Sequence, residues 1–355
     1  MKTSDIAPLR LAGQRINGTS FEKPSEVVRW LGAVQAQDYL GALWAIGLRM
    51  RVAVEAEVER AIAERTIIRT WPMRRTLHFV AATDVRWMLR LLAPRVVAAL
   101  ARRVQQHFDL GEAAFARSRD VLTRALEGGK QLTRNSMYEA LEAARIHTAG
   151  GRGLHILSRL AQDGLLCFGA REGRQQTFVL LDEWSPPAGK TLERDEALAE
   201  LASRYFASHG PATLQDFAWW SGLTAADARA GLEMVQSRFV KETIDGRAYW
   251  LSSSAPAAKE KTPRVHLLPA YDEYTVAYKD RSAVLDAAHT KEVNNGYGIL
   301  SPVIVMDGQV VGSWKRTFKR DAVVVTPSPF KKFSAAQTRA FDEAASRYRK
   351  FLNRP

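Results

Sequence analysis

A single cysteine, Cys167, stands among 355 residues. It excludes an intramolecular disulfide and any zinc site built from clustered thiolates. The seven histidines are scattered and none falls in an H-E-x-x-H spacing, so the sequence implies no metal. A Walker phosphate loop and a G-x-S-x-G nucleophile elbow are both missing. Gly150, Gly151 and Gly153 lack the preceding strand that a dinucleotide fold requires. Metal, nucleotide-cofactor and serine-hydrolase chemistries are therefore weakly supported, and no cofactor is expected. No apolar run approaches the roughly 18 residues needed to cross a bilayer, and Met1 to Ile6 contains no apolar leader core. A cytoplasmic protein with no membrane partner is the expectation.

Positive charge, by contrast, is abundant. Lys plus Arg number 51 against 38 Asp plus Glu, a net charge of +13. Such an excess favours a polyanionic partner, nucleic acid first. Arg outnumbers Lys in the first half, which suits phosphate recognition by the planar fork and equally a GC-rich genome. The length allows two or more domains with cores of their own.

Helical and strand-like runs recur along the chain in one order. Ala53 to Arg65 is helical by pattern and precedes two β-rich runs, Ile67 to Trp71 and Thr76 to Val80, around Pro72-Met73-Arg74-Arg75. A helix followed by a hairpin with a basic tip is the back half of a winged helix. Ser118 to Gly128, a helix opened by Leu132-Thr133-Arg134, and Leu154 to Ala161 then precede Leu165 to Phe168 and Thr177 to Leu180. Leu198 to Ser208, a helix capped by Thr213, and a third from Leu223 repeat the plan before a hairpin at Asp245-Gly246. The parallel glycine breaks before Thr133 and Thr213 argue for duplicated modules. Ser252 to Pro263 reads as a linker. Short strands follow (Val265 to Leu268, Val303 to Met306, Val310 to Trp314, Ala322 to Thr326), and a helix from Ser334 to Leu352 closes the chain. Its Phe341, Ala345, Tyr348 and Phe351 face a core by spacing. The expected fold class is α+β, divided as 1–92, 93–185, 186–255 and 264–355.

One stretch stands apart from these repeats. In Val34-Gln35-Ala36-Gln37-Asp38-Tyr39, two primary amides flank a small apolar residue where an amphipathic stripe ends. Val27, Val28, Leu31 and Val34 make that stripe, with Pro24 suited to the first turn and Glu26 near the positive helix end. Residues two apart diverge on a helix and share a side in extended backbone. Gln35 and Gln37 can converge on one target only if the helix loosens near Val34. A polar helix end is the competing reading, and spacing does not separate the two.

Other candidates also carry structural alternatives. Arg74 and Arg75 suit a phosphate or plain solvation. His78, in a strand-like run, suits a pocket or, better, a satisfied structural role. Arg152, among the glycines that open a helix, is a further candidate DNA contact. Asp272 and Glu273 resemble an acid/base pair, although a hydrogen-bonded corner fits better. Trp219-Trp220 fits core packing better than base stacking.

The pieces Ala33 to Gln37, Thr70 to His78, Leu268 to Tyr274 and Ile299 to Pro302 occur in this order. With them the chain resembles, over essentially its whole length, the AlkZ/YcaQ family of bacterial DNA glycosylases. The resemblance implies three tandem winged-helix modules in a C-shaped arrangement and a small C-terminal β-barrel, clamping double-stranded DNA as a monomer associated with the nucleoid. It implies excision of bulky N-alkylated purines (N7-alkylguanine or N3-alkyladenine adducts, and interstrand crosslinks) in base-excision repair or in self-resistance to a DNA-alkylating natural product. The family's catalytic motif, Gln, an aliphatic residue, then Gln or Asp, maps onto Gln35, Ala36 and Gln37. The Gln-ending form resembles the antibiotic-specialist branch. Asp38 follows directly, and a register in which it supplies a carboxylate stays open.

The chemistry suits a neutral pair. An N7- or N3-alkylated purine already carries positive charge and leaves readily, so a strong general acid is unnecessary. What remains is to place a water near the anomeric carbon and to stabilise oxocarbenium character, which two amide oxygens can do. A bulky lesion also suits an open groove better than a tight base-flipping pocket. A non-catalytic winged-helix regulator shares the basic charge and the repeats, although three modules in one monomer fit symmetric operator reading poorly. A protein–protein scaffold is the third reading.

Overall fold

The computed structural model describes residues 1–18, 21–187, 191–253, 264–294, 301–320 and 322–353. Helices and strands mix throughout, and the chain forms two compact units: Met1–Val58 with Leu198–Pro355, and Glu59–Ala197. It passes from one to the other along the helix Glu55–Ala63 and returns along Arg194–His209.

The first unit draws on both ends of the chain. Thr3–Gly13, Pro24–Leu31 and Tyr39–Gly47 come from one end, and Leu214–Ser221, Ala225–Val235 and Ala335–Phe351 from the other. Pro24 opens its helix with Glu26 in the first turn, and Val27, Val28 and Leu31 are buried. Thr213 forms a capping box with Asp216: its hydroxyl accepts from the Asp216 N–H, and the carboxylate accepts from the Thr213 N–H. Val240–Ile244 and Arg247–Leu251 pair as an antiparallel hairpin at Asp245-Gly246.

In place of the expected β-barrel, the described C-terminal strands form a four-stranded antiparallel sheet edged by Val265–Leu268 and Val323–Pro329. Helix Ala335–Phe351 buries Phe341, Ala345, Tyr348 and Phe351, as their spacing predicts. The Tyr348 ring meets Trp44 and Trp314 edge-on at 5.1 Å each. A helix thus supplies cover for apolar strand residues, and the sheet need not close on itself.

In the second unit, Ile67–Met73 and Thr76–Ala81 form the expected antiparallel hairpin. Strand Ile67–Met73 also pairs further along the chain. Arg69 pairs with Phe168, the Trp71 and Phe168 rings lie 5.1 Å apart, and Trp71 and Leu77 share one core with Leu122, Met137, Leu157 and Phe178. Helices Glu112–Leu126, Arg134–Ala143 and Arg152–Gln162 precede the paired strands Leu166–Phe168 and Thr177–Leu180. The Thr133 hydroxyl accepts from the Ser136 N–H, the cap its position predicts. The 24-residue helix Val85–Phe108 is not announced by the sequence, because Pro94 interrupts its pattern. The linker reading from Ser254 to Pro263, and Ile299 with Leu300, lie outside the described residues. Among the described residues no helix is long and apolar enough to cross a membrane.

Candidate active site

The helix that leads to Gln35 stops at Leu31. Gly32 takes φ +80°, a left-handed value that glycine accepts at little cost, and a Cβ there would meet Trp220 at 3.2 Å. The backbone is then extended at Val34–Gln35 and bends at Gln37. The loosening that convergence of the two amides requires is therefore present, and it begins before Val34. Gln35 is 7% exposed, while Gln37 is open to solvent.

A buried acidic corner lies behind the strand. The Gln35 N–H donates to Glu273 Oε1 at 2.9 Å, and the Trp220 indole N–H donates to Glu273 Oε2 at 2.8 Å. His209 Nε2 stands 3.7 Å from that same oxygen, and Nδ1 lies 2.7 Å from the Ser208 hydroxyl. Burial pushes the His209 pKa below its usual value, against the upward pull of Glu273. Asp272 accepts from both terminal nitrogens of Arg49 and from the Tyr274 N–H, each at 2.9 Å. Arg49 also donates to the Gln14 and Ala45 carbonyls. The paired carboxylates are thus a solvent-free, hydrogen-bonded corner, the alternative the sequence favours over an acid/base pair. Trp220 is core, as expected, whereas Trp219 is half-exposed and donates to the Val276 carbonyl.

Asp38 sits just before helix Tyr39–Gly47, its carboxylate oxygens 3.3 and 3.4 Å from Arg316 Nη2. Arg316, on strand Gln309–Phe318, also donates to the Tyr348 hydroxyl at 3.0 Å. Burial raises the pKa of the Tyr271 hydroxyl, and the Asp38 charge adds to the effect.

Gln35, Gln37 and Asp38 belong to the first unit, and Arg74, Arg75, His78 and Arg152 to the second. Arg74 and Arg75 are the two-residue tip between Met73 and Thr76, with φ +52° and +63°. Both occupy the left-handed region that such a tight hairpin turn demands and that glycine or asparagine usually fills. Arg75 is exposed. His78 is fully buried, with Nε2 3.1 Å from Arg74 Nη2 and Nδ1 3.0 Å from the Thr76 carbonyl. Because arginine only donates, Nε2 accepts and the Nδ1 proton goes to the carbonyl. His78 is therefore a neutral histidine that supports the tip. Arg152 donates to the carbonyls of Phe108, Asp109 and His147, tying the end of one helix to the start of another.

The family model described as DNA glycosylase AlkZ-like matches residues 28–351. The chain belongs to the AlkZ-like DNA glycosylase family. A relative from Streptomyces sahachiroi, named interstrand DNA cross-link repair glycosylase, is 29% identical over 340 residues, covering 90% of this chain and 89% of its own. The solved structure of Streptomyces sahachiroi DNA glycosylase AlkZ has the same fold, with a TM-score of 0.82 at 24% identity over 100% of this chain and 98% of that one. As an AlkZ-like glycosylase, the chain is a hydrolase of N-glycosyl bonds in DNA, and the regulator and scaffold readings fall. The residues that sequence reasoning missed as neighbours of the motif are Glu273, Trp220 and Arg316. Glu273 and Trp220 are legible as oddities, an acidic pair and a tryptophan pair, while nothing local marks Arg316.

Proposed function

We propose that this glycosylase releases bulky N-alkylated purines, N7-alkylguanine or N3-alkyladenine adducts and interstrand crosslinks, with Gln35 and Gln37 as its catalytic pair. The observation that carries the reading is the broken helix at Gly32, which leaves two amides flanking one residue in non-helical backbone within the family's matched span. The amide oxygens accept from a water held near the anomeric carbon, and their dipoles offset positive charge developing on the sugar. A glutamine is too weak a base to deprotonate that water beforehand, so orientation supplies the rate. Well-oriented groups lower barriers by as much as about 7–11 kcal/mol. Arg74 and Arg75 grip phosphates, and His78 fixes the turn that presents them. Arg152, which donates to three carbonyls, serves the duplex indirectly by holding its helix in place.

The same reading divides the chain into winged-helix modules at 1–92, 93–185 and 186–255 with a C-terminal domain at 264–355, acting as a monomer on nucleoid DNA without a cofactor. The name of the Streptomyces sahachiroi relative supports crosslinks as substrates, in repair or in self-resistance to an alkylating natural product.

Base release from a duplex carrying one N7-alkylguanine tests the assignment. Q35A/Q37A is expected to lose at least about 100-fold in single-turnover rate while still binding the duplex. D38N, whose partner is Arg316, is expected to lose less than about tenfold. A parental rate for the double variant removes the glutamines from the mechanism. An equal loss in D38N makes Asp38 the carboxylate of the site.

A further inference from the structure

Glu273 is a carboxylate without solvent, and its oxygens receive N–H donors from two separate elements: the backbone of Gln35 and the side chain of Trp220. The His209 ring faces it with Nε2 at 3.7 Å, and Arg49 of the same corner pairs with Asp272. Keeping a buried carboxylate there is costly compared with an apolar residue, and such a cost is typical of functional sites. The contacts run in an unbroken series. Gly32 ends the helix against Trp220, Trp220 donates to Glu273, and Glu273 holds the first residue of the catalytic motif.

We propose that Glu273, backed by Trp220, is a positioning residue for Gln35, an inference that rests on Gln35 being half of the water-holding pair. The bond to the Gln35 N–H fixes the two-residue strand Val34–Gln35 in extended backbone just before the bend at Gln37. Without it, the backbone at Gln35 loses its anchor between the helix stop at Gly32 and the bend at Gln37, and the Gln35 amide shifts with it. Glu273 touches neither substrate nor water in this scheme.

A glutamine at position 273 keeps the size but has one oxygen for two donors, which makes the chemistry testable. E273Q is expected to lower the single-turnover rate on the N7-alkylguanine duplex by about 30- to 100-fold, the scale of a misplacement of about 1 Å. Affinity for a duplex bearing an abasic analogue should stay within about twofold. W220F, which removes one donor, should lose less than about fivefold. E273Q/W220F should be at least about fivefold faster than E273Q, because the new amide can then turn its oxygen to the Gln35 N–H. Where E273Q does not fold, E273D, which keeps both acceptor oxygens but draws them back by one methylene, takes its place: a rate lost at unchanged duplex affinity supports the proposal, and a parental rate overturns it. A parental rate in E273Q, a rate and a duplex affinity that fall together, or no recovery in the double variant also overturns it. Q35A/Q37A run alongside separates the two ideas. If it is as active as the parent, the catalytic reading fails first; if it is inactive while E273Q is parental, only the positioning role fails.

Discussion

Arg49 and Asp272 meet through two hydrogen bonds of 2.9 Å, and neither side chain has any exposure to solvent. They come from sequence positions 223 apart and join the start of the chain to the corner that holds Glu273. Removing one partner leaves the other charge buried. D272N is therefore expected to destabilise the protein by about 3–5 kcal/mol. R49K keeps a charge but not the planar fork that also reaches Gln14, so it should fail to restore the loss. Urea midpoints of both variants check this. A loss under about 1 kcal/mol for D272N means the pair is neutralised some other way.

These two residues also mark where sequence reading stops. The caps are short-range chemistry and are legible: Thr133 and Thr213 both accept from the N–H that their spacing predicts. The stripe Phe341, Ala345, Tyr348 and Phe351 reads as core because one helix face repeats on a fixed period. The end of helix Pro24–Leu31 is half-legible, since Gly32 is a good stop signal but the apolar stripe continues to Val34. The contact from the Gln35 N–H to Glu273 spans 238 positions, and no local pattern encodes it. The same holds for the sheet. Each strand is visible on its own, yet whether four strands close depends on the helix that covers them.

Arg74 and Arg75 provide the second test, because strain and function oppose each other there. Both hold positive φ without being glycine, a conformation that costs roughly 1–2 kcal/mol per residue. R75G should relieve part of this and raise stability by about 1 kcal/mol. If Arg75 grips a phosphate, the same change should weaken duplex binding and flatten the slope of log K against log salt by about 1. Thermal melts and a salt titration read the two effects separately. A stabilised variant with an unchanged slope would make the tip a solvated turn.

His266 predicts the response to acid. It is buried on strand Val265–Leu268, with Nε2 2.7 Å from Asn17 Oδ1. Burial first, then the cations Arg347, Arg264 and Arg49, push its pKa down to about 3. In the unfolded chain the ring titrates near 6.5, so between about 6.5 and 3 the unfolded state binds one proton more than the folded state. Stability contributed by neutral His266 is complete above about pH 6.5 and is lost as pH falls toward 3. The slope from this one group approaches about 1.4 kcal/mol per pH unit. H266Q keeps a donor for Asn17 but takes up no proton. It should be the less stable protein at pH 7, and the gap should narrow by about 1 kcal/mol per unit as the pH drops through 6 to 4. Carboxylates titrate equally in both proteins and cancel in the difference. Parallel stability curves for parent and variant over that range would mean that His266 enters the unfolding equilibrium already protonated.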